Sequence, residues 1–73
     1  MLKLSQATTG KFYHVEDLSL LKSLAKRLAV LGLNTGVLIE ILALYKHGAM
    51  IKTPCGDLAI GTDLLDAILV TLA

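Results

Sequence analysis

The side chains that could carry catalysis are sparse in this sequence, and their spacing matches no common enzyme site. The six carboxylates are Glu16, Asp17, Glu40, Asp57, Asp63 and Asp66. No two of them have a spacing that by itself marks a general acid and a general base. The three serines lie outside any nucleophile-elbow sequence, and no glycine-rich loop is followed by the Lys-Ser or Lys-Thr of a phosphate site. We therefore predict that the chain is not an enzyme and carries no cofactor.

Metal-ligating side chains are equally few. His14, His47 and Cys55 are the soft or borderline ligands, and they are far apart in the sequence. We expect His47 and Cys55 to approach each other across a hairpin, because the intervening residues turn back on themselves. Two ligands do not make a closed zinc site, which needs four in tetrahedral geometry. The sequence thus predicts no structural metal site. A metal carrier that uses these two residues is the alternative.

The charges are distributed unevenly along the chain. Residues 1–27 carry five basic and two acidic side chains, whereas residues 28–73 carry two basic and four acidic ones. Lys22, Lys26 and Arg27 form the densest basic group. With only three aromatic residues and a net charge of +1, the chain offers no stacking platform for nucleic acid. We predict no nucleic-acid binding and keep a small RNA-binding barrel as a further alternative.

The basic group belongs to the most clearly predicted helix, residues 17–31. Apolar side chains recur there at the spacing of one helical face, at Leu21, Leu24, Ala25, Leu28 and Leu31. Lys22, Lys26 and Arg27 lie off this stripe and are predicted to face solvent. Gly32 then stands where a helix commonly ends in a left-handed residue, and Leu33 can fold back on Leu28 as in a Schellman cap.

Short β-strands are predicted on both sides of this helix. The extended segments are residues 2–4, 11–15, 37–45, 49–53, 58–61 and 67–72. Lys46-His47-Gly48 reads as the tip of a hairpin, and Asp63 to Leu65 as a single helical turn. Because so many short strands are separated by turn signals, the sequence predicts a mainly β small barrel of about five strands with one main α-helix.

The composition of the chain limits the classes of protein to which it can belong. The chain has 73 residues, 55% of them hydrophobic, which predicts a single ordered domain over residues 1–73. Cys55 is the only cysteine, so no disulfide joins two parts of the chain. The apolar run of residues 28–45 is interrupted by Gly32, Asn34 and Gly36 and carries Glu40, which argues against a membrane span. We expect no insertion into a membrane and a cytoplasmic location, and the high apolar content makes a homo-oligomer plausible.

Several of these packing and turn residues together resemble the FeoA family, ferrous iron transport protein A. The run from Leu28 to Ile41 contains a helix that ends in Leu-Gly-Leu, a glycine-containing turn and an alternating strand. Further matching positions are Leu4, Gly10, Gly48, Gly56 to Ile60 and Ala67 to Val70. The resemblance implies an SH3-like barrel in the cytosol. It also implies service to FeoB, the transmembrane ferrous iron transporter, which has a cytosolic GTP-binding domain.

We therefore expect an accessory protein of ferrous iron uptake that docks on the cytosolic part of FeoB and modulates it. The contact surface is predicted to combine the exposed helix flank with the hairpin tip, because both lie outside the core pattern. Its residues are Lys22, Lys26, Arg27, Tyr45, Lys46 and His47.

Overall fold

The computed structural model describes residues 1–73 and shows a mainly β fold. Its elements in chain order are β1 (Leu2–Lys3), a 3₁₀ turn (Leu4–Gln6), β2 (Phe12–Asp17), a second 3₁₀ turn (Ser19–Leu21), α1 (Leu24–Val30), β3 (Leu38–Tyr45), β4 (Gly48–Thr53), β5 (Gly56–Gly61), α2 (Thr62–Leu65) and β6 (Leu69–Leu72). The predicted small SH3-like β fold with one main helix is confirmed, with six strands where about five were expected.

All strand pairs are antiparallel, in the order β1-β6-β2-β3-β4-β5. The strands from β2 to β5 lie side by side in chain order; α1 is inserted between β2 and β3, and hairpins join β3 to β4 and β4 to β5. The last strand instead returns to lie between the first two, with Val70 opposite both Leu2 and Val15. The two ends of the chain are therefore joined through the sheet, and Leu4 donates its N–H to the carbonyl of Ile68 at 2.8 Å.

The core lies on one face of this sheet and is almost entirely aliphatic. Alternation along the strands buries every second side chain, such as Ile39 and Ile41 in β3, which are fully buried. Tyr13 is the one aromatic side chain in the core, and its hydroxyl accepts a hydrogen bond from the N–H of Thr8 at 2.8 Å. The buried polar end of Tyr13 is thereby satisfied.

The main helix begins later than predicted. The stretch expected to be helical from residue 17 first forms the 3₁₀ turn Ser19–Leu21, and α1 starts at Leu24. Lys22 interrupts the helix because its φ is +54°, a left-handed conformation that no α-helix contains. Asp17 accepts a hydrogen bond from the N–H of Ser19 at 2.8 Å, so it caps the 3₁₀ turn instead of α1. Neither helix has the length and apolar character needed to cross a bilayer.

The end of α1 is confirmed in detail. The N–H of Leu33 donates to the carbonyl of Leu28 at 3.0 Å, and the N–H of Gly32 donates to the carbonyl of Ala29 at 3.1 Å. These are the two hydrogen bonds of a Schellman cap. Gly32 has a φ of +98°, and Leu33 is fully buried. The cap thus turns the chain back into the core directly after the helix.

The predicted apolar stripe of the helix is only half correct. Leu21 is buried, and Ala25 and Leu28 pack partly buried against the core. Leu24 and Leu31 are exposed, although the stripe predicted them in the core. Because α1 has only seven residues and packs through one narrow edge, side chains on either side of that edge remain in solvent.

Candidate functional site

The carboxyl end of α1 is held by the turn between β4 and β5. The hydroxyl of Thr53, the one buried polar side chain, lies 3.2 Å from the carbonyl of Leu31 and 2.9 Å from that of Gly56. It also accepts the N–H of Cys55 at 3.2 Å. Since a hydroxyl has one proton, it donates to only one of the two carbonyls at a time. Thr53 therefore fixes the helix end to this turn. This role of Thr53 is not evident from the sequence, because one of its carbonyl partners, Leu31, lies 22 residues away in the chain.

Two of the predicted docking residues border a groove beside α1. Lys22 and Lys26 line this groove of about 430 Å³, and Ala25 and Ala29 lie along the same side of the helix. The fully buried Leu33 contributes to its floor. Arg27, the third predicted cation, is exposed but does not line the groove. The groove thus has an apolar floor with two lysines on one rim.

Asp17 and Asn34 also line this groove beside α1. The hydrogen bond from the backbone N–H of Ser19 lowers the pKa of the Asp17 carboxyl below its ordinary value of 3.8, and the Ser19 side chain contributes in the same direction. Asp17 is therefore charged at neutral pH. The side chain of Asn34 donates to the carbonyl of Ala29 at 3.3 Å, near the helix end. The lining of this groove therefore combines two lysines with one carboxylate.

The predicted hairpin tip forms a second groove, of about 470 Å³ and mostly apolar lining. Tyr45 and His47 stand at its edge, with Met50 and Ala59 along the neighbouring strands β4 and β5. The carbonyl of His47 accepts the N–H of Thr62 at 3.3 Å, which ties the tip to the start of α2. Lys46 is exposed at the turn but does not line this groove. The tip therefore presents an open apolar hollow rather than a basic one.

These two grooves share no lining residue. The helix end contacts Thr53, the last residue of β4, whereas the hairpin tip leads into Gly48, its first residue. The helix flank and the hairpin tip thus border different grooves. Their use as a contact surface for the transporter stays a prediction.

The same topology separates the two residues proposed as metal ligands. His47 precedes β4 and Cys55 follows it, so they stand at opposite ends of a six-residue strand. Such a strand spans about 17 Å. The expectation that they approach each other across a hairpin is wrong, because the whole length of β4 lies between them. No group of three or more His, Cys, Asp or Glu side chains is placed to hold a metal ion.

A third groove, of about 400 Å³, lies on the outer face of the sheet and was not found from the sequence. Phe12 and Leu38 are half exposed there, beside Pro54. Glu40 stands opposite Phe12 on β2 and opposite Lys52 on β4, so one acidic and one basic side chain border the apolar surface. The sequence feature that could have indicated this groove is the alternation of inward and outward side chains along β2 and β3, which places Phe12 on the face opposite the core.

Comparison with known proteins gives one family. A family model described as the FeoA domain matches residues 2–72. The crystal structure of an iron uptake regulatory protein (FeoA) has a TM-score of 0.83 and 25% identity, over 99% of this chain and 96% of that one. The solution NMR structure of a FeoA protein from Chlorobium tepidum has a TM-score of 0.87 and 20% identity, over 97% of this chain and 70% of that one. A comparison with curated proteins returns no match.

Proposed function

The chain belongs to the FeoA family of small accessory proteins associated with ferrous iron transport, and we propose that it acts by docking on the cytosolic GTP-binding part of the transporter FeoB. In this proposal the chain is a single cytoplasmic domain that modulates the transporter through binding and catalyses no reaction. The family match over residues 2–72 is the observation that carries the proposal.

We place the main protein contact at the hairpin-tip groove. Its lining is mostly apolar and its rim carries Tyr45, of which 63% is exposed. Tyrosine is enriched among the residues that dominate binding energy, because it offers a large rigid apolar surface and a polar end. Met50 beside it adapts to different side chains, since its chain is flexible and polarizable. An apolar side chain of the partner would fill this hollow.

The basic helix flank is the second predicted contact. Lys22, Lys26 and Arg27 are all exposed. Exposed charges contribute little to folding but strongly affect the rate and orientation of association. Removing them should therefore impair iron uptake without unfolding the protein.

Co-purification with the cytosolic part of FeoB, with and without guanine nucleotide, tests the proposal. We expect retention of the purified domain by the intact protein. Tyr45→Ala should weaken binding about 30-fold, as the loss of an interface anchor does. Phe12→Ala is the matched control, because Phe12 is also an exposed strand aromatic but lies in the groove on the outer sheet face.

Two results would contradict the proposal. Failure of the intact, folded protein to bind the transporter domain under either nucleotide condition would refute docking itself. Equal weakening by Tyr45→Ala and Phe12→Ala would refute the placement at the hairpin tip and leave docking to be mapped elsewhere.

A further inference from the structure

Four large apolar side chains in and around α1 are exposed, although the predicted stripe places two of them in the core. Leu20 and Val30 are 62% and 81% exposed, and Leu24 and Leu31 are 37% and 49% exposed. All four belong to the stretch of residues 20–31 that contains α1 and the turn before it. We call them, with the cations Lys22, Lys26 and Arg27, the outer helix face.

The charge of this stretch has one sign. Residues 18–33 contain the three cations of the outer helix face and no acidic residue. Aspartate and glutamate side chains are concentrated in the other half of the chain, where residues 28–73 carry four acids against two bases. The carboxylate that precedes this stretch, Asp17, accepts a hydrogen bond from the N–H of Ser19 and lines the same groove as Lys22 and Lys26. Exposed leucine and valine are therefore combined with three cations and one carboxylate, a net positive charge.

A second copy of this chain does not suit the outer helix face. A symmetric dimer brings the same patch of both subunits together, which would oppose six cations across one contact. The patch is also small. Four partly exposed apolar side chains are far fewer than the roughly 20–30 residues per side of a stable protein interface.

Binding to a bilayer surface requires fewer contacting residues than a stable protein interface does. Interfacial binding requires a few apolar side chains that reach the boundary between headgroups and acyl chains, with cations level with the anionic headgroups. We propose that the outer helix face adsorbs to an anionic lipid surface. Leu20, Leu24, Val30 and Leu31 enter the headgroup region, and Lys22, Lys26 and Arg27 contact the phosphates and carboxylates of the lipids. This is adsorption to one leaflet, without a membrane span.

The inference goes beyond the proposed function and does not depend on the main protein contact at the hairpin-tip groove. It assigns to lipid the cations Lys22, Lys26 and Arg27, which the proposed function uses as a second protein contact. The hairpin-tip groove and the outer helix face share no residue, so both can be occupied together. A protein that docks on the cytosolic part of a membrane transporter would then be held near the bilayer by a second, weaker contact.

Vesicle sedimentation of the full chain tests the inference. The probes are vesicles of phosphatidylcholine with about 30% phosphatidylserine, and vesicles of phosphatidylcholine alone, at low ionic strength. We expect binding to the first kind, much weaker binding to the second, and loss of binding in high salt, because screening removes the electrostatic attraction. Absence of binding to phosphatidylserine vesicles by the folded protein would overturn the inference.

Two triple variants with the same change in net charge distinguish binding through the outer helix face from a general effect of the protein's positive charge. Replacing Lys22, Lys26 and Arg27 by Gln should lower affinity about fivefold per residue, or roughly 100-fold together. Replacing the exposed Lys3, Lys11 and Lys46 by Gln changes the net charge by the same amount from other elements. We expect that control to lose less than about threefold in affinity. Equal losses would overturn the inference.

A variant that keeps all charges tests the apolar part. Leu20→Ser with Val30→Ser should weaken vesicle binding about tenfold or more, while both exposed positions leave the melting temperature nearly unchanged. Unchanged vesicle binding would overturn the inference. The transporter-domain assay is run on the same variants. If the Lys22, Lys26 and Arg27 changes abolish domain binding but leave vesicle binding intact, the face contacts protein and the lipid inference is wrong, while docking on the transporter stands.

Discussion

Substituting Gly32 with alanine probes the junction between the helix cap and the β4–β5 turn. Gly32 has a φ of +98°, and an ideal Cβ built on it would lie 2.6 Å from Oγ1 of Thr53 and 2.9 Å from Cβ of Cys55. Contacts this short require the neighbouring atoms to move. The neighbours have little freedom, because the Thr53 hydroxyl is held by the carbonyls of Leu31 and Gly56. Alanine at this position therefore meets both backbone strain and overpacking.

The two effects have different magnitudes. A left-handed conformation costs a residue with a Cβ about 1–2 kcal/mol. Forcing one methyl group into a packed site costs a further 1–3 kcal/mol. Restricting the unfolded chain returns about 0.5 kcal/mol. We expect Gly32→Ala to lower the free energy of unfolding by about 1.5–4.5 kcal/mol, and valine at the same site to lower it further.

Gly36→Ala is the control that isolates the packing part. Gly36 also has a left-handed φ, +90°, but nothing lies within 4 Å of the Cβ that would be added. Its expected loss is about 1 kcal/mol, from backbone strain alone. Urea unfolding measures both values. For a chain of this size each kcal/mol also lowers the melting temperature by about 4–8 °C.

A double-mutant cycle identifies the clashing atom. In the background Thr53→Ala, which lacks Oγ1, the additional loss caused by Gly32→Ala should shrink by at least about 0.5 kcal/mol. Equal destabilisation by Gly32→Ala and Gly36→Ala, or a cycle without coupling, would show that the close approach of Gly32 to Thr53 does not limit this position.

Three further predictions address charge, metal and pH. Changing Lys22, Lys26 and Arg27 together to Glu should impair ferrous iron uptake in cells that lack the native protein. Circular dichroism should show an intact fold, and the free energy of unfolding should change by no more than about 0.5 kcal/mol per site. Full uptake with this variant would exclude the helix flank and make Lys46 and His47 the next candidates. A strong chelator should leave the thermal unfolding curve unchanged, because two distant candidate ligands do not make a structural metal site. Unfolding of the protein on chelation would instead support a metal-binding protein. The pKa of the Asp17 carboxyl, followed by NMR, should lie below its ordinary value of 3.8. The stability that this carboxylate contributes is then present above pH 3.8 and is lost as the pH falls through its folded-state pKa, and Asp17→Asn should remove this part of the acid sensitivity. An unshifted pKa would contradict the hydrogen bond from Ser19.

Features set by neighbouring residues were predictable from the sequence. The Schellman cap is completed within residues 28–33, so glycine at Gly32 and leucine at Leu33 were sufficient to predict the end of the helix. The hairpin at Lys46-His47-Gly48 and the strands on either side of it follow from the same kind of local signal, and the structure has them nearly where expected. The matching glycines and strand residues were also sufficient to suggest the family.

Burial and spatial neighbourhood were decided by the tertiary structure. Helical periodicity places Leu24 and Leu28 on one stripe, but only the packing of α1 against the sheet determines that Leu28 is partly buried and Leu24 is exposed. Likewise, a residue count does not show that the whole length of β4 lies between His47 and Cys55 and holds them apart. Thr53 holds the end of the helix through the contact of its buried hydroxyl with the carbonyl of Leu31, which lies 22 residues away in the chain.

The sequence by itself therefore determined the fold class, most strand positions and the helix end, because turns, caps and alternation act over a few residues. The tertiary structure alone decided that β6 lies between β1 and β2, that the helix presents leucine and valine to solvent, and that Lys22 and Lys26 line a different groove from Tyr45 and His47. The physical reason is that strand partners and burial depend on contacts between distant parts of the chain. A local pattern specifies which side chains can be buried together, and the packing of the whole chain selects which of them are.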